Sequence, residues 1–233
     1  TQAAGLKSNF GTMCKPLHAG TASEHGLRAA RLAAKGFTAR GDSLECDQGF
    51  ASSQSDHLNA EAALGEPPSG WHLRNNLFKY HAACYLTHAP IECAKEIRLK
   101  NNFPPERVQK ILLRIDSGAD KVCNIPNPTT GLEAKFSLRQ TVAMALAGVD
   151  TANLEPYNEA VTQEPRIRGL RDKMAIEFQP HWSHSLAEMA IQLDDGTTIE
   201  VTHDSGIPWA DLDKQRQAIE TKFDSLVTPL LGT

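Results

Sequence analysis

Two short runs on either side of Asp194-Asp195-Gly196 constrain this chain more than any other feature. Met189, Ile191 and Leu193 alternate with other residues before the turn, and Ile199 and Val201 alternate after it. Period-two alternation places every second side chain on one face of a strand, and an Asp-Gly turn between two such runs closes an antiparallel hairpin. Arg107 to Asp116, with Val108, Ile111, Leu113 and Ile115, reads as a further strand, and Arg171 to Gln179 is strand-like as well.

Helical patterns occupy separate stretches. Thr21 to Lys35 is rich in Ala, Leu and Arg, with Gly36 placed as its C-cap, and its small side chains suggest a helix buried in a helical layer. Tyr85 to Lys100 predicts a helix ending at Asn101-Asn102, Leu132 to Gly148 another, and Trp209 to Leu231 a last one. Pro67-Pro68-Ser69-Gly70 is the clearest break in the chain. Helices and antiparallel strands in separate runs imply an α+β fold.

The composition narrows the possible partners. A formal net charge of -4 and a pI near 6.1 argue against nucleic acid or an anionic membrane surface, since both need a basic face. No apolar stretch approaches the ~20 residues that span a bilayer, which predicts a cytoplasmic location. Cys14, Cys46, Cys84, Cys93 and Cys123 are odd in number, widely spaced and free of CxxC pairs, so they read as reduced thiols. With HExxH and CxxC absent, no metal site is expected. Gly-x-Ser-x-Gly, GxGxxG and Walker motifs are also missing, which removes the common hydrolase, dinucleotide and nucleoside-triphosphate readings. An anionic ligand would need a local cluster of Lys, Arg and His.

Two such clusters stand out. In Phe10-Gly11-Thr12-Met13-Cys14-Lys15-Pro16-Leu17-His18-Ala19-Gly20, Lys15 and His18 lie three apart just ahead of a helix, where backbone N–H groups and the two side chains suit a carboxylate or phosphate. A solvated cation and an ordinary histidine satisfy the same spacing equally. In the second, Lys79, His81, Cys84 and His88 bring a cation, two proton-transfer groups and a thiol into one short stretch. A helix starting near Ala82 would set Cys84 and His88 four apart on one face. On residue type alone, Cys84 is first a small buried hydrophobe and His88 a hydrogen-bonded core residue.

The Gly11 to Gly20 run, Gly36-Phe37-Thr38, Lys79 through His88, Lys135-Phe136-Ser137-Leu138, the Leu193 to Gly196 hairpin and Lys222-Phe223 resemble, in that order, the landmarks of the MmgE/PrpD family. The likeness runs over essentially the whole chain. It implies part of a large all-helical domain (1–74), an inserted α+β lid with an antiparallel sheet (75–206) and a helical return (207–233). It also implies a cofactor-independent lyase of the 2-methylcitrate dehydratase type, in propionate metabolism, that abstracts a proton and eliminates from a di- or tricarboxylate. Epimerisation, isomerisation, decarboxylation or a non-catalytic assembly role remain alternatives.

Carried over by motif, Lys15, His18, Lys79, His81 and Cys84 are the expected catalytic groups, and Thr12, Met13, His88, Ser137 and Gln140 the expected substrate contacts. Cys84 stands where decarboxylating members are expected to carry a histidine, and Gln140 where a tyrosine is common; both departures count modestly against decarboxylation. Opening at Thr1 on a Gly-rich motif, the chain reads as a C-terminal portion. The resemblance implies that a helical N-terminal half completes it, that the isolated chain is nearly inactive, and that the assembly is a homodimer.

Overall fold

The computed structural model describes residues 5–67, 70, 71, 73 and 76–232. The break expected at Pro67 to Gly70 and the boundary expected at Arg74 fall partly on residues outside that description. The chain divides into two compact units, Thr1–Asn9 with Met13–Asn76, and Phe10–Thr12 with Leu77–Thr233.

The first unit is built around α1 (Cys14–Ala34), followed by the short helices α2 (Phe50–Gln54) and α3 (Ala60–Leu64). The helix α1 starts seven residues before the expected Thr21, at Cys14, with Pro16 in its first turn, where a missing N–H costs nothing because the first four N–H groups have no intrahelical partner. Lys15 and His18 therefore lie inside its first turns rather than ahead of it. Its C-terminus closes at Gly36, whose φ of +84° lets its N–H and that of Phe37 reach the carbonyls of Ala33 and Leu32. The expectation of a buried helix is corrected: no residue of α1 is buried, and Leu17 and Leu27 are exposed.

The second unit carries a four-stranded sheet in the order β2-β1-β3-β4, with β1 (Val108–Asp116), β2 (Met174–Gln179), β3 (Leu186–Leu193) and β4 (Thr198–Asp204). Its helices are α4 (His88–Asn101), α5 (Asp120–Cys123), α6 (Gly131–Ala134), α7 (Leu138–Leu146), α8 (Glu159–Gln163), α9 (Pro165–Asp172) and α10 (Leu212–Leu231). The hairpin β3–β4 pairs Met189 with Val201 and Ile191 with Ile199 across the Asp-Gly turn. Arg107 bridges that turn, donating to Asp194 at 2.9 Å and to Asp195 at 2.5 Å.

The sheet is mixed rather than purely antiparallel. β2 runs parallel to β1, with Leu113 beside Ile176, because α5 to α9 form a crossover long enough to return the chain in the same direction. Arg171, expected in a strand, lies in the last turn of α9, and β2 starts only at Met174.

One face of the sheet makes the core. Ile111, Leu113 and Ile115 of β1 and Met189 and Ile191 of β3 pack with Ile91 and Ile97 of α4, Leu138, Val142 and Leu146 of α7, and Ile167 of α9. The opposite face is polar: Arg114 donates to Glu177 at 2.8 Å and approaches Glu188 at 3.7 Å. Alternation in β1 thus divides one strand between oil and water.

The continuous helix expected from Leu132 to Gly148 is broken into α6 and α7. The carbonyls of Lys135 and Phe136 leave the helical pattern to accept from Cys84 and Ile125, and the Ser137 hydroxyl restarts the helix by accepting from the Gln140 N–H. That break places Lys135 beside the segment that enters α4.

Candidate functional site

The segment from Leu77 to Thr87 is irregular until a 3-10 turn at Tyr85–Thr87 leads into α4. Cys84 therefore precedes the helix, and the shared helical face considered for Cys84 and His88 does not form.

Buried His81 is the organising residue. Its Nε2 lies 2.7 Å from Glu92 Oε1, one turn into α4, and its Nδ1 lies 2.8 Å from the Thr151 hydroxyl. Burial pushes the His81 pKa down, against the opposing pull of Glu92, so the ring is neutral near pH 7. A carboxylate only accepts, which makes Nε2–H the donor to Glu92 and Nδ1 the acceptor from Thr151. Burial works against the charge on Glu92, but His81 and Lys95, whose Nζ is 2.8 Å away, outweigh it and lower its pKa to about 2.

His88 sits across from this pair, its ring 4.9 Å from that of His81 and 4.9 Å from that of Tyr85. Desolvation, helped by the charges of Lys79 and Lys222, depresses its pKa to about 3. It is an uncharged imidazole at any physiological pH, and its Nε2 is buried without a hydrogen-bond partner among the described residues. Tyr85 donates to the Ser205 carbonyl at 2.6 Å, and Tyr80 stacks on Trp209 at 4.9 Å. His81, His88, Ser205 and Trp209 line a cavity of about 30 Å³. One water fits such a volume; a polycarboxylate does not.

Cations border it. Lys222 of α10 donates to the carbonyl of Lys79, and Lys135 stands 5.4 Å from the centre of the Tyr157 ring. Lys79 is exposed, whereas Lys135 and Lys222 are half-buried. Burial lowers the pKa of both half-buried amines, and Lys79 lowers them further.

The second unit thus gathers Lys79, His81, Cys84 and His88 around one segment. Cys84 lies against the thiol of Cys123, and that contact together with burial pushes the Cys123 pKa up, so Cys123 stays protonated. Thr12 belongs to the same unit and is exposed. Ser137 and Gln140 are fully buried at the start of α7, and the Gln140 Oε1 accepts from Arg171 at 2.9 Å. Met13, Lys15 and His18 belong to the first unit, where Met13 and Lys15 are exposed. Gly5 approaches the His18 ring so closely, at φ +133°, that a Cβ there would stand 2.1 Å from Nε2. Among the described residues no group of three or more His, Cys, Asp or Glu is arranged to hold a metal, and no helix is long and apolar enough to cross a membrane.

Sequence reading missed Glu92, Lys95 and Thr151. Glu92 has a legible signal, four residues after His88 on one helix. Thr151 has none, since seventy residues separate it from His81.

Against protein families, residues 81–233 match the MmgE/PrpD C-terminal domain. Among curated proteins, the chain is similar to cis-aconitate decarboxylase of Homo sapiens, 25% identical over 236 residues that cover 97% of this chain and 48% of that protein. It is similar also to cis-aconitate decarboxylase of Mus musculus, 28% identical over 210 residues that cover 85% of this chain and 42% of that protein. The chain spans about half the length of these curated relatives.

Proposed function

The chain belongs to the MmgE/PrpD family, and from that premise we propose that it forms part of a lyase that holds a small polycarboxylate through lysines and moves a proton beside one carboxylate. The observation that carries this reading is the convergence of Lys79 and Lys222 on the rim of the His81–Glu92–His88 cluster, with Lys222 bound to the Lys79 backbone. A substrate carrying several negative charges enters a partly dry cleft only where cations compensate its lost hydration.

In this reading Lys15 and Lys79 hold carboxylates, and His18 is the acid or base. The buried, neutral His81 orients the segment that presents Lys79, so its role is positional. Cys84, Thr12, Met13, His88, Ser137 and Gln140 are proposed to shape the substrate's surroundings. A complementary half, in the same polypeptide or as a separate subunit, supplies the remaining acid and base groups, and the assembly is a cofactor-independent cytoplasmic homodimer.

Dehydration of 2-methylcitrate is the first reaction we propose. Decarboxylation of cis-aconitate is the second, and the names of the two similar proteins favour it. Both place negative charge beside a carboxylate and differ in what leaves, hydroxide or carbon dioxide.

NMR of the complete protein incubated with each acid separates the two by product. Lys79→Ala is expected to lower turnover of the accepted acid by ~10²-fold or more, the scale for losing one preorganised charge partner. Wild-type turnover in that variant would remove Lys79 from the site, and inertness of the intact protein toward every polycarboxylate would overturn the reading.

A further inference from the structure

Two buried polar atoms at the candidate site have no hydrogen-bond partner among the described residues, His88 Nε2 and Ser205 Oγ. His88 is only 2% exposed. Both residues line the cavity of about 30 Å³ beside His81 and Trp209. Tyr85 sets them close together independently of that cavity: its hydroxyl donates to the Ser205 carbonyl at 2.6 Å, and its ring lies 4.9 Å from the His88 ring. The two nitrogens of His81 are engaged by Glu92 and Thr151, so they satisfy neither atom.

A polar atom taken out of water and left unpaired destabilises the fold by the hydration it has given up. A single water repairs both losses, because it donates and accepts at once and fills a volume of this size. The occupant is neutral. Lys79 and Lys222, whose charges act on His88, oppose a cation, and the ionised Glu92 in the cavity wall opposes an anion.

We propose that the cavity is an internal hydration site, in which one ordered water bridges His88 Nε2 and Ser205 Oγ and ties the start of α4 to the turn that follows β4. Through this bridge the His88 ring is satisfied without taking up a proton. The site goes beyond the lyase reading and does not depend on it, since it requires no substrate.

Ser205→Ala in the full chain tests the bridge by the direction of its effect on urea unfolding. With the water in place the hydroxyl is a hydrogen-bond partner, and its removal is expected to lower the folded-to-unfolded ratio roughly five- to tenfold at pH 7. A dry cavity has the opposite consequence, because deleting an unpaired hydroxyl leaves the ratio unchanged or raises it. Ser205→Val, whose added methyl fills the space, is expected to remove one long-lived water from the count given by oxygen-17 relaxation of the solvent. A crystal structure that shows ordered solvent is expected to place one water about 2.7–3.2 Å from both atoms.

Unchanged or higher stability of Ser205→Ala would overturn the bridge. So would a crystal structure in which Nε2 and Oγ bond to each other or to other protein groups, or a wild-type water count in folded Ser205→Val. Turnover of polycarboxylates enters none of these outcomes, so the bridge and the lyase reading stand or fall separately.

Discussion

Acidified from pH 7 to pH 4, the protein is expected to lose on the order of 3 kcal/mol of unfolding free energy through His88 alone, and a His88→Phe variant to be spared that part of the loss. His88 titrates near 6.5 in the unfolded chain and near 3 in the native one. Between those values the unfolded state binds the proton and the native state does not, so stability falls as pH falls through that window. The cause is desolvation, aided by Lys79 and Lys222 and opposed by Glu92. His81, depressed by burial, adds to the loss in the same direction. Glu92 contributes stability above its ordinary pKa of 4.5 and surrenders it toward about 2, which steepens the acid end. Urea midpoints across this pH range measure the effect, and the ring resonances of His88 report it directly. A His88 ring that titrated near 6.5 in the native protein would contradict its placement against His81 and Tyr85.

Leu113→Ala is expected to cost roughly 3–4 kcal/mol at pH 7, whereas Leu112→Ala, one residue earlier, should cost about 1 kcal/mol or less. Leu113 is fully buried on the central strand, between Ile176 of β2 and Met189 of β3, under the helices α4 and α7. Truncation there removes apolar contact and leaves a cavity that the four surrounding elements cannot close. Leu112 points to the other face, where Arg114, Glu177 and Glu188 meet solvent and the half-buried side chain can be replaced by water. Urea unfolding of the two variants measures the contrast. Equal costs would show that helices cover both faces of the sheet, against the one-sided core described above.

Much of the fold was legible locally. The β3–β4 hairpin, the β1 strand, the helix running to Asn101 and the last helix lie where periodicity and turn chemistry put them, because each depends on residues close together in the chain. Errors arose where a distant contact outbid a local preference. The helix expected from Leu132 to Gly148 breaks because the carbonyls of Lys135 and Phe136 are claimed by Cys84 and Ile125. The parallel β1–β2 pair escaped notice because its direction is set by a helical crossover, and no strand records in its own residues the direction of its neighbour.

The candidate site divides the same way. Lys79, His81, Cys84 and His88 were visible as a cluster because ten residues hold them all. Their partners were not: Thr151 reaches His81 from the loop after α7, and Lys222 reaches the Lys79 carbonyl from the final helix. By itself the sequence determined the β3–β4 hairpin, the β1 strand with its apolar face, and which short stretch carries the reactive side chains, since all of these follow from neighbours a few bonds apart. Only the tertiary structure decided that His81 is held between Glu92 and Thr151, that the buried His88 Nε2 has no hydrogen-bond partner among the described residues, and that Lys222 of the final helix reaches the Lys79 carbonyl, because burial and long-range contact belong to the packed chain.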